Sequence, residues 1–333
     1  MSFPWRPDQV FIREPMDMQV VLSKDGSMPI NSNFDFLVHY RNKMRREMYP
    51  ETGGLVGSHG EDWYQMREKV QQDMMRAKSA MFYLEDIGDI TTQLLDFIAE
   101  KIDQNGEVED LLHLTLLWSL KSITATFLDT PLDCFNRHLE ESSDAAQFVN
   151  AVTVGLGTDL TQLAMGPPLW KWLPTPSFRR FDNSAMISYK ISQTFVNQAA
   201  IASARRPGGE SKEESVLQKL ISRCGPGSSI PSVMVQDALM AGVDTTAKTA
   251  AWLLLDLARN PDKQQLLYEE VRQVVGQGHA AAITETQLRK MRYLKACLHE
   301  SQRCNPTVTA LSRRTQTDMV LAGHRVPEGV NVR

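Results

Sequence analysis

A mainly α fold with small β-sheet regions is what this sequence predicts, and three observations carry that reading. Apolar residues recur at helical spacing over most of the 333 residues. The Asn260-Pro261 and Asn305-Pro306 pairs divide the second half into segments of helical length. Short apolar stretches bounded by turn residues occur near the two ends, at Val10-Phe11-Ile12 and from Thr307 onward.

Taken in order, the spacing predicts a helix over 61–79, introduced by the Gly57-Ser58-His59-Gly60 turn. The next, over 85–101, repeats Ile87, Ile90, Leu94/Leu95 and Ile98 on one face. A Leu-rich helix follows over 108–127, then a softer, Gly-containing one over 144–165. Gly166-Pro167-Pro168 and Leu173-Pro174-Thr175-Pro176 form a connecting loop that carries Trp170 and Trp172. A helix over 183–204 precedes residues 205–229, an internal linker-like region with a short helix inside it. The longest helix spans 232–259, roughly 40 Å at 1.5 Å per residue. One helix then runs to about 275 and another over 287–303, before strands and turns that bend at Ala322-Gly323-His324 and Pro327-Glu328-Gly329. No internal repeat is visible, and 1–333 reads as a single domain.

Composition excludes several classes. A net charge of −4 gives no global attraction to nucleic acid or an anionic membrane surface. Cys134, Cys224, Cys297 and Cys304 form no CxxC, which argues against a disulfide scaffold or a zinc site and for a reducing compartment. The seven histidines make no HExxH pair. Neither apolar stretch reads as a membrane span: 111–120 ends at Lys121, and 145–170 contains Asp159. The first residues are neither a secretory signal nor a transit peptide, and both ends read as cut.

The candidate chemistry centres on Ala241-Gly242-Val243-Asp244-Thr245-Thr246, inside the longest helix. Glycine costs about 1 kcal/mol in mid-helix relative to alanine, and Asp and Thr are mediocre helix formers. Asp244 and Thr245 project about 100° apart around the axis, and Gly242 removes a side chain beside them. Such a notch can hold a water and relay protons. Alternatively, Gly242 permits close helix packing while the hydroxyl bonds back to the preceding turn. Glu300 and Arg303, three apart, share a helix face and can pair, most often as a solvated bridge. Trp63 and Arg67, four apart, put an indole N–H and a guanidinium on one face. That pair suits a carboxylate, or a simple cation–π contact.

In order and spacing, these motifs resemble the cytochrome P450 monooxygenases across essentially the whole chain. The resemblance implies a truncated cytochrome P450 fold, with haem between the long helix and the Trp63 helix. Trp63, Arg67 and Arg313 would bind its propionates, Gly242 would let oxygen approach, Thr245 would hydrogen-bond the oxygen, and Asp244 would help deliver protons. Glu300 and Arg303 would be the structural pair beneath the haem. Met48-Tyr49-Pro50 through Gly53-Gly54-Leu55, together with Tyr293-Leu294-Lys295-Ala296, resemble the animal mitochondrial class. In that class Lys295 would dock a ferredoxin, with His299 where the second basic residue of the docking site stands.

The implied chemistry inserts one atom of O2 into an apolar, sterol- or lipid-like substrate. The substrate would be met near 40–58, 160–185 and 306–311. The full-length protein would sit in mitochondria, peripherally on the matrix side of the inner membrane, with no role for nucleic acid. The family's haem-ligating cysteine, set in a Gly-rich loop, has no counterpart here, so no metal ligand is assigned, and the chain reads as an inactive fragment. The alternative is a non-catalytic isoform that binds lipid or ferredoxin.

Overall fold

The computed structural model describes residues 8–74, 81–135, 144–151, 159–205, 215–225, 227–276 and 283–333. Residues 75–79 of the expected 61–79 helix, 152–158 of the expected 144–165 helix, and 206–214 and 226 of the expected linker lie outside the described residues.

The first third comprises β1 (Gln9–Val10), α1 (Pro15–Ser23), α2 (Asp35–His39) continued by a π-turn (Tyr40–Met44), α3 (Gly60–Met74) and α4 (Leu84–Lys101). Next come α5 (Leu111–Leu128), α6 (Asp144–Asn150), α7 (Leu160–Met165) and α8 (Pro176–Arg205). The remainder holds α9 (Val216–Cys224), α10 (Ile230–Arg259), α11 (Pro261–Val275), α12 (Glu285–Lys290), α13 (Arg292–Cys304), β2 (Arg313–Arg314), β3 (Met319–Leu321), β4 (His324–Val326) and β5 (Asn331–Val332).

Capping accounts for the main differences from the expected boundaries. Helix α5 starts at Leu111 because the Asp110 side chain accepts the His113 N–H at 3.0 Å. It runs through Lys121 to Leu128 and is long and apolar enough to cross a membrane, yet 61% of that window is buried inside the fold. It is a core helix beyond its first turn, where Leu111 and Leu112 are exposed. Helix α8 begins at Pro176, seven residues ahead of expectation. Proline is preset for the first turn, Thr175 Oγ1 accepts the Phe178 N–H at 3.3 Å, and the added turns bury Phe178 and Phe181. The expected 287–303 helix is two. Thr284 and Gln287 form a capping box on α12, and Glu270 of α11 accepts the N–H groups of Tyr293 and Leu294 at 2.8 and 2.9 Å. That carboxylate satisfies the first turn of α13, so the chain restarts a helix after Met291 instead of continuing one.

The long helix α10 is the spine. It packs most extensively on α5 and next on α8. Val233, Val235, Leu239, Val243 and Ala247 lie in a core that also takes Leu117, Leu120, Phe148, Phe181 and Leu217. Phe36, Tyr40, Phe178 and Phe181 make an aromatic cluster beside it, with ring centroids 4.9 to 6.3 Å apart. The two chain ends build one sheet in the order β1-β5-β2. β5 runs parallel to β1 and antiparallel to β2, pairing Val332 with both Val10 and Arg313. β3 and β4 form a hairpin whose turn places Ala322 and Gly323 at φ 47° and 78°.

Candidate functional site

The spine positions three of the predicted motifs. Its first turns receive α3 through Met66 and Val70, which pack on Ile230 and Met234. On α3, the Arg67 guanidinium lies 5.8 Å from the Trp63 ring centroid, and both side chains are half-buried. Arg67 has no carboxylate partner among the described residues.

In the middle of the spine, Thr245 Oγ1 donates to Ala241 O at 2.7 Å, and Thr249 Oγ1 donates to Thr245 O at 2.8 Å. These back-bonds hold each hydroxyl against its own helix while leaving oxygen lone pairs to accept from outside. Asp244 is bridged to Lys248 one turn on, at 2.8 Å, with side chains 26% and 43% exposed. Ala241 is exposed and Thr245 half-buried, so this face of the helix is open.

Gly242 does not contribute to that opening. A Cβ at this position would lie 3.1 Å from Ile123 Cγ1 and 3.2 Å from Ile123 Cδ1 of α5. Ser119 Oγ of the same helix donates to Gly242 O at 2.9 Å. The missing side chain brings two core helices together at this position. A residue's Cβ direction is set by helix phase, and Gly242 and Asp244 face away from one another.

At the far end of the spine, Asp256 accepts from Ser301 Oγ at 2.6 Å and from Asn305 Nδ2 at 3.1 Å, anchoring α13. Glu300 and Arg303 pair bidentately at 2.7 and 2.8 Å, but with side chains 63% and 69% exposed. The Arg303 hydrogen bonds hold the Glu300 carboxyl below its ordinary value. In these residues the pair faces solvent and does not brace a core. Lys295 is exposed on α13, with Arg292 and His299 also exposed on the same helix, and has no ion-pair partner among the described residues. Arg313 of β2 is engaged by Asp25, and its Nη1 donates to Ser312 O at 3.0 Å.

The donor set answers unevenly to the haem that the motifs imply. Trp63 with an uncommitted Arg67 fits a carboxylate, and the open Ala241–Thr245 face fits the side where oxygen would bind. Arg313 fits only if Asp25 yields. The thiols do not fit. Cys134 is fully buried, and burial pushes its thiol up to about 12; burial also raises Cys224 and Cys297. Cys304 is exposed beside Glu300 and Arg303. Among the described residues no group of three or more metal-ligating side chains comes together.

Two cavities open in segments expected to meet substrate. One of about 690 Å3 is lined by His39, Tyr49, Thr52, His59 and Lys69 among others. One of about 240 Å3 lies among Leu163, Gly166, Trp170 and Lys171. Ile123, Lys248 and Asp256 escaped the sequence reading. Lys248 carried a legible signal, an i,i+4 partner for Asp244, whereas Ile123 and Asp256 act only through contacts between helices.

Comparison with known proteins bears on the whole chain. The cytochrome P450 profile matches residues 5–333. The chain is 29% identical over 331 residues to the probable cytochrome P450 49a1 of Drosophila melanogaster, covering 98% of this chain and 55% of the relative. It is 31% identical over 331 residues to cytochrome P450 CYP12A2 of Musca domestica, covering 97% and 60%. It is 29% identical over 334 residues to the probable cytochrome P450 12a5, mitochondrial, of Drosophila melanogaster, covering 98% and 61%. The chain thus spans roughly three fifths of the length of the curated relatives it matches. With the profile covering it from residue 5 to residue 333, and with a mainly α architecture built around one long helix, the chain belongs to the cytochrome P450 family.

Proposed function

We propose haem-dependent monooxygenation as the function: one atom of O2 is inserted into an apolar, sterol- or lipid-like substrate, with electrons from a mitochondrial-type ferredoxin. The observation that carries this reading is the open face at Ala241 and Thr245 on the central helix, with Asp244 at its edge held by Lys248. Haem, when bound, supplies oxygen activation. Arg67 and Trp63 would hold one of its carboxylates, and Arg313 a second in exchange for Asp25. Thr245 Oγ1, already donating to Ala241 O, accepts a hydrogen bond from a water in the groove. Asp244 passes protons from the solvent side, where its carboxylate pairs with Lys248. The exposed Lys295 face supports docking of an acidic electron donor. Relatives named as mitochondrial support placement in that organelle, and within it the proposed position is the matrix side of the inner membrane.

None of the four thiols is placed as an iron ligand, so on this reading the 333 residues by themselves turn over no substrate. The test is haemin titration of the purified chain, followed by a spectrum of the reduced, carbon monoxide-treated sample. The expected result is haemin uptake weakened by Arg67→Ala, with no Soret band of the thiolate type. A thiolate band would overturn the ligand reading. Uptake indifferent to Arg67→Ala and Trp63→Phe would overturn the carboxylate cradle.

The absence of a placed thiol also favours a second reading, a non-catalytic chain that binds lipid or sequesters ferredoxin. Ferredoxin pull-down that is lost on Lys295→Glu, with no haemin taken up, supports that reading over the first.

A further inference from the structure

No motif announces the charge pair of Arg41 and Asp237, which are 1% and 3% exposed. Arg41 Nη1 donates to Asp237 Oδ1 at 2.6 Å and to Gly53 O at 2.7 Å, and Nη2 reaches Gln236 Oε1 at 3.4 Å. The guanidinium also lies 5.0 Å from the Tyr49 ring centroid. Asp237 Oδ2 accepts the Val56 N–H at 3.2 Å. Gln236 accepts from Tyr49 Oη at 2.8 Å and donates to Ala185 O at 3.0 Å. Asn42 Nδ2, beside Arg41, donates to Gly57 O at 3.2 Å. The segment from Tyr49 to Gly57 is thereby tied to the second turn of α10. Gly54 makes the approach feasible. It sits at φ +78°, and a Cβ there would lie 2.4 Å from Asp237 Oδ2 and 2.8 Å from Val233 Cγ1.

Stability alone does not account for such a pair. Apolar residues of similar volume generally serve a core as well as a buried ion pair, and Arg41 Nε has no hydrogen-bond partner among the described residues. What the pair supplies is direction, through hydrogen bonds that fix the loop backbone itself. Three residues after Gly57 that backbone enters α3, which carries Trp63 and Arg67.

We propose that Arg41 and Asp237 are positioning residues. Acting through the 53–57 loop, they set where α3 meets α10, and therefore where the Trp63–Arg67 pair stands relative to Thr245. The consequence for haem rests on the function proposed above; the geometry of the clasp does not.

The test uses the full chain in two variants. Arg41→Met with Asp237→Leu removes both charges together, leaving none buried and unpaired, so the protein folds. Gly54→Ala forces the loop off the clasp with both charges in place. Hydrogen–deuterium exchange is read over 53–59, 60–74 and 238–259, alongside haemin titration by tryptophan quenching. In both variants the 53–59 amides should exchange on the order of tenfold faster, with 238–259 unchanged. Haemin affinity should fall on the order of tenfold as the cradle loses its preorganisation. Parent-like protection of 53–59 overturns the proposal. So does a uniform rise in exchange across the chain, which would mark the pair as core filling, or a loosened loop with parent-like haemin affinity. If the parent itself takes up no haemin, the haem reading fails, while the exchange pattern still decides whether the clasp sets the loop.

Discussion

Replacing Gly242 separates a packing role from an open notch. In an open helix face, Gly242→Ala would stabilise by about 1 kcal/mol through helix propensity alone. Here the new Cβ would lie 3.1 and 3.2 Å from two carbons of Ile123, inside the roughly 3.5–4.0 Å optimum for carbon pairs. Ile123 is only half-buried and can turn, at about 0.5–1.5 kcal/mol for an off-rotamer side chain. Gain and cost nearly cancel, so Gly242→Ala should be close to neutral. Gly242→Val adds two further carbons to the same gap. Overpacking then costs about 1–3 kcal/mol, and prising the helices apart weakens the Ser119–Gly242 hydrogen bond, worth about 1 kcal/mol. The sum is a loss of roughly 2–4 kcal/mol. Urea unfolding followed by far-UV circular dichroism measures it. The Gly242→Val/Ile123→Ala double variant should recover part of the loss, with a coupling of about 1–3 kcal/mol. A Gly242→Val protein as stable as the parent, or strict additivity with Ile123→Ala, would show that the α5–α10 contact at Gly242 is not formed.

Other expectations follow from individual side chains. Burial would raise the Asp182 carboxyl, but hydrogen bonds from Arg45 and Tyr40 outweigh it and hold the group below its ordinary value. Its contribution to stability is therefore present above the unfolded pKa of about 4 and is lost as pH falls through the lower folded value, so Asp182→Asn should flatten acid unfolding below about pH 4. Tyr40→Phe, which deletes the 2.7 Å bond to Asp182, should cost about 1–3 kcal/mol at neutral pH, and a neutral result would count against the bond. Iodoacetamide at pH 8 should label exposed Cys304 first and buried Cys134 only on unfolding; early loss of Cys134 in peptide mass maps would contradict its burial. Asp256→Ala, which frees Ser301 and Asn305, should destabilise by about 1–3 kcal/mol. Glu300→Gln, at a solvent-facing pair, should leave the melting temperature unchanged, and a drop matching that of Asp256→Ala would show that Glu300 braces the fold.

The class of the fold and most of its longer helices were legible in the sequence, because apolar periodicity and Asn-Pro breaks are local signals. The long helix, the pairing of Glu300 with Arg303 and the contact of Arg67 with Trp63 were all legible as spacing, since residues three or four apart must share a face. Tertiary structure decided what each face meets. Gly242 reads identically in sequence whether it opens a groove or admits Ile123, and only the neighbouring helix settles that it admits Ile123. Nothing local reveals that Glu270 caps α13, that Val332 joins Val10 to Arg313 in one sheet, or that Arg41 reaches Asp237 across 196 positions. Those partners lie far apart along the chain, and a hydrogen bond or ion pair between distant residues leaves no periodic trace in either segment.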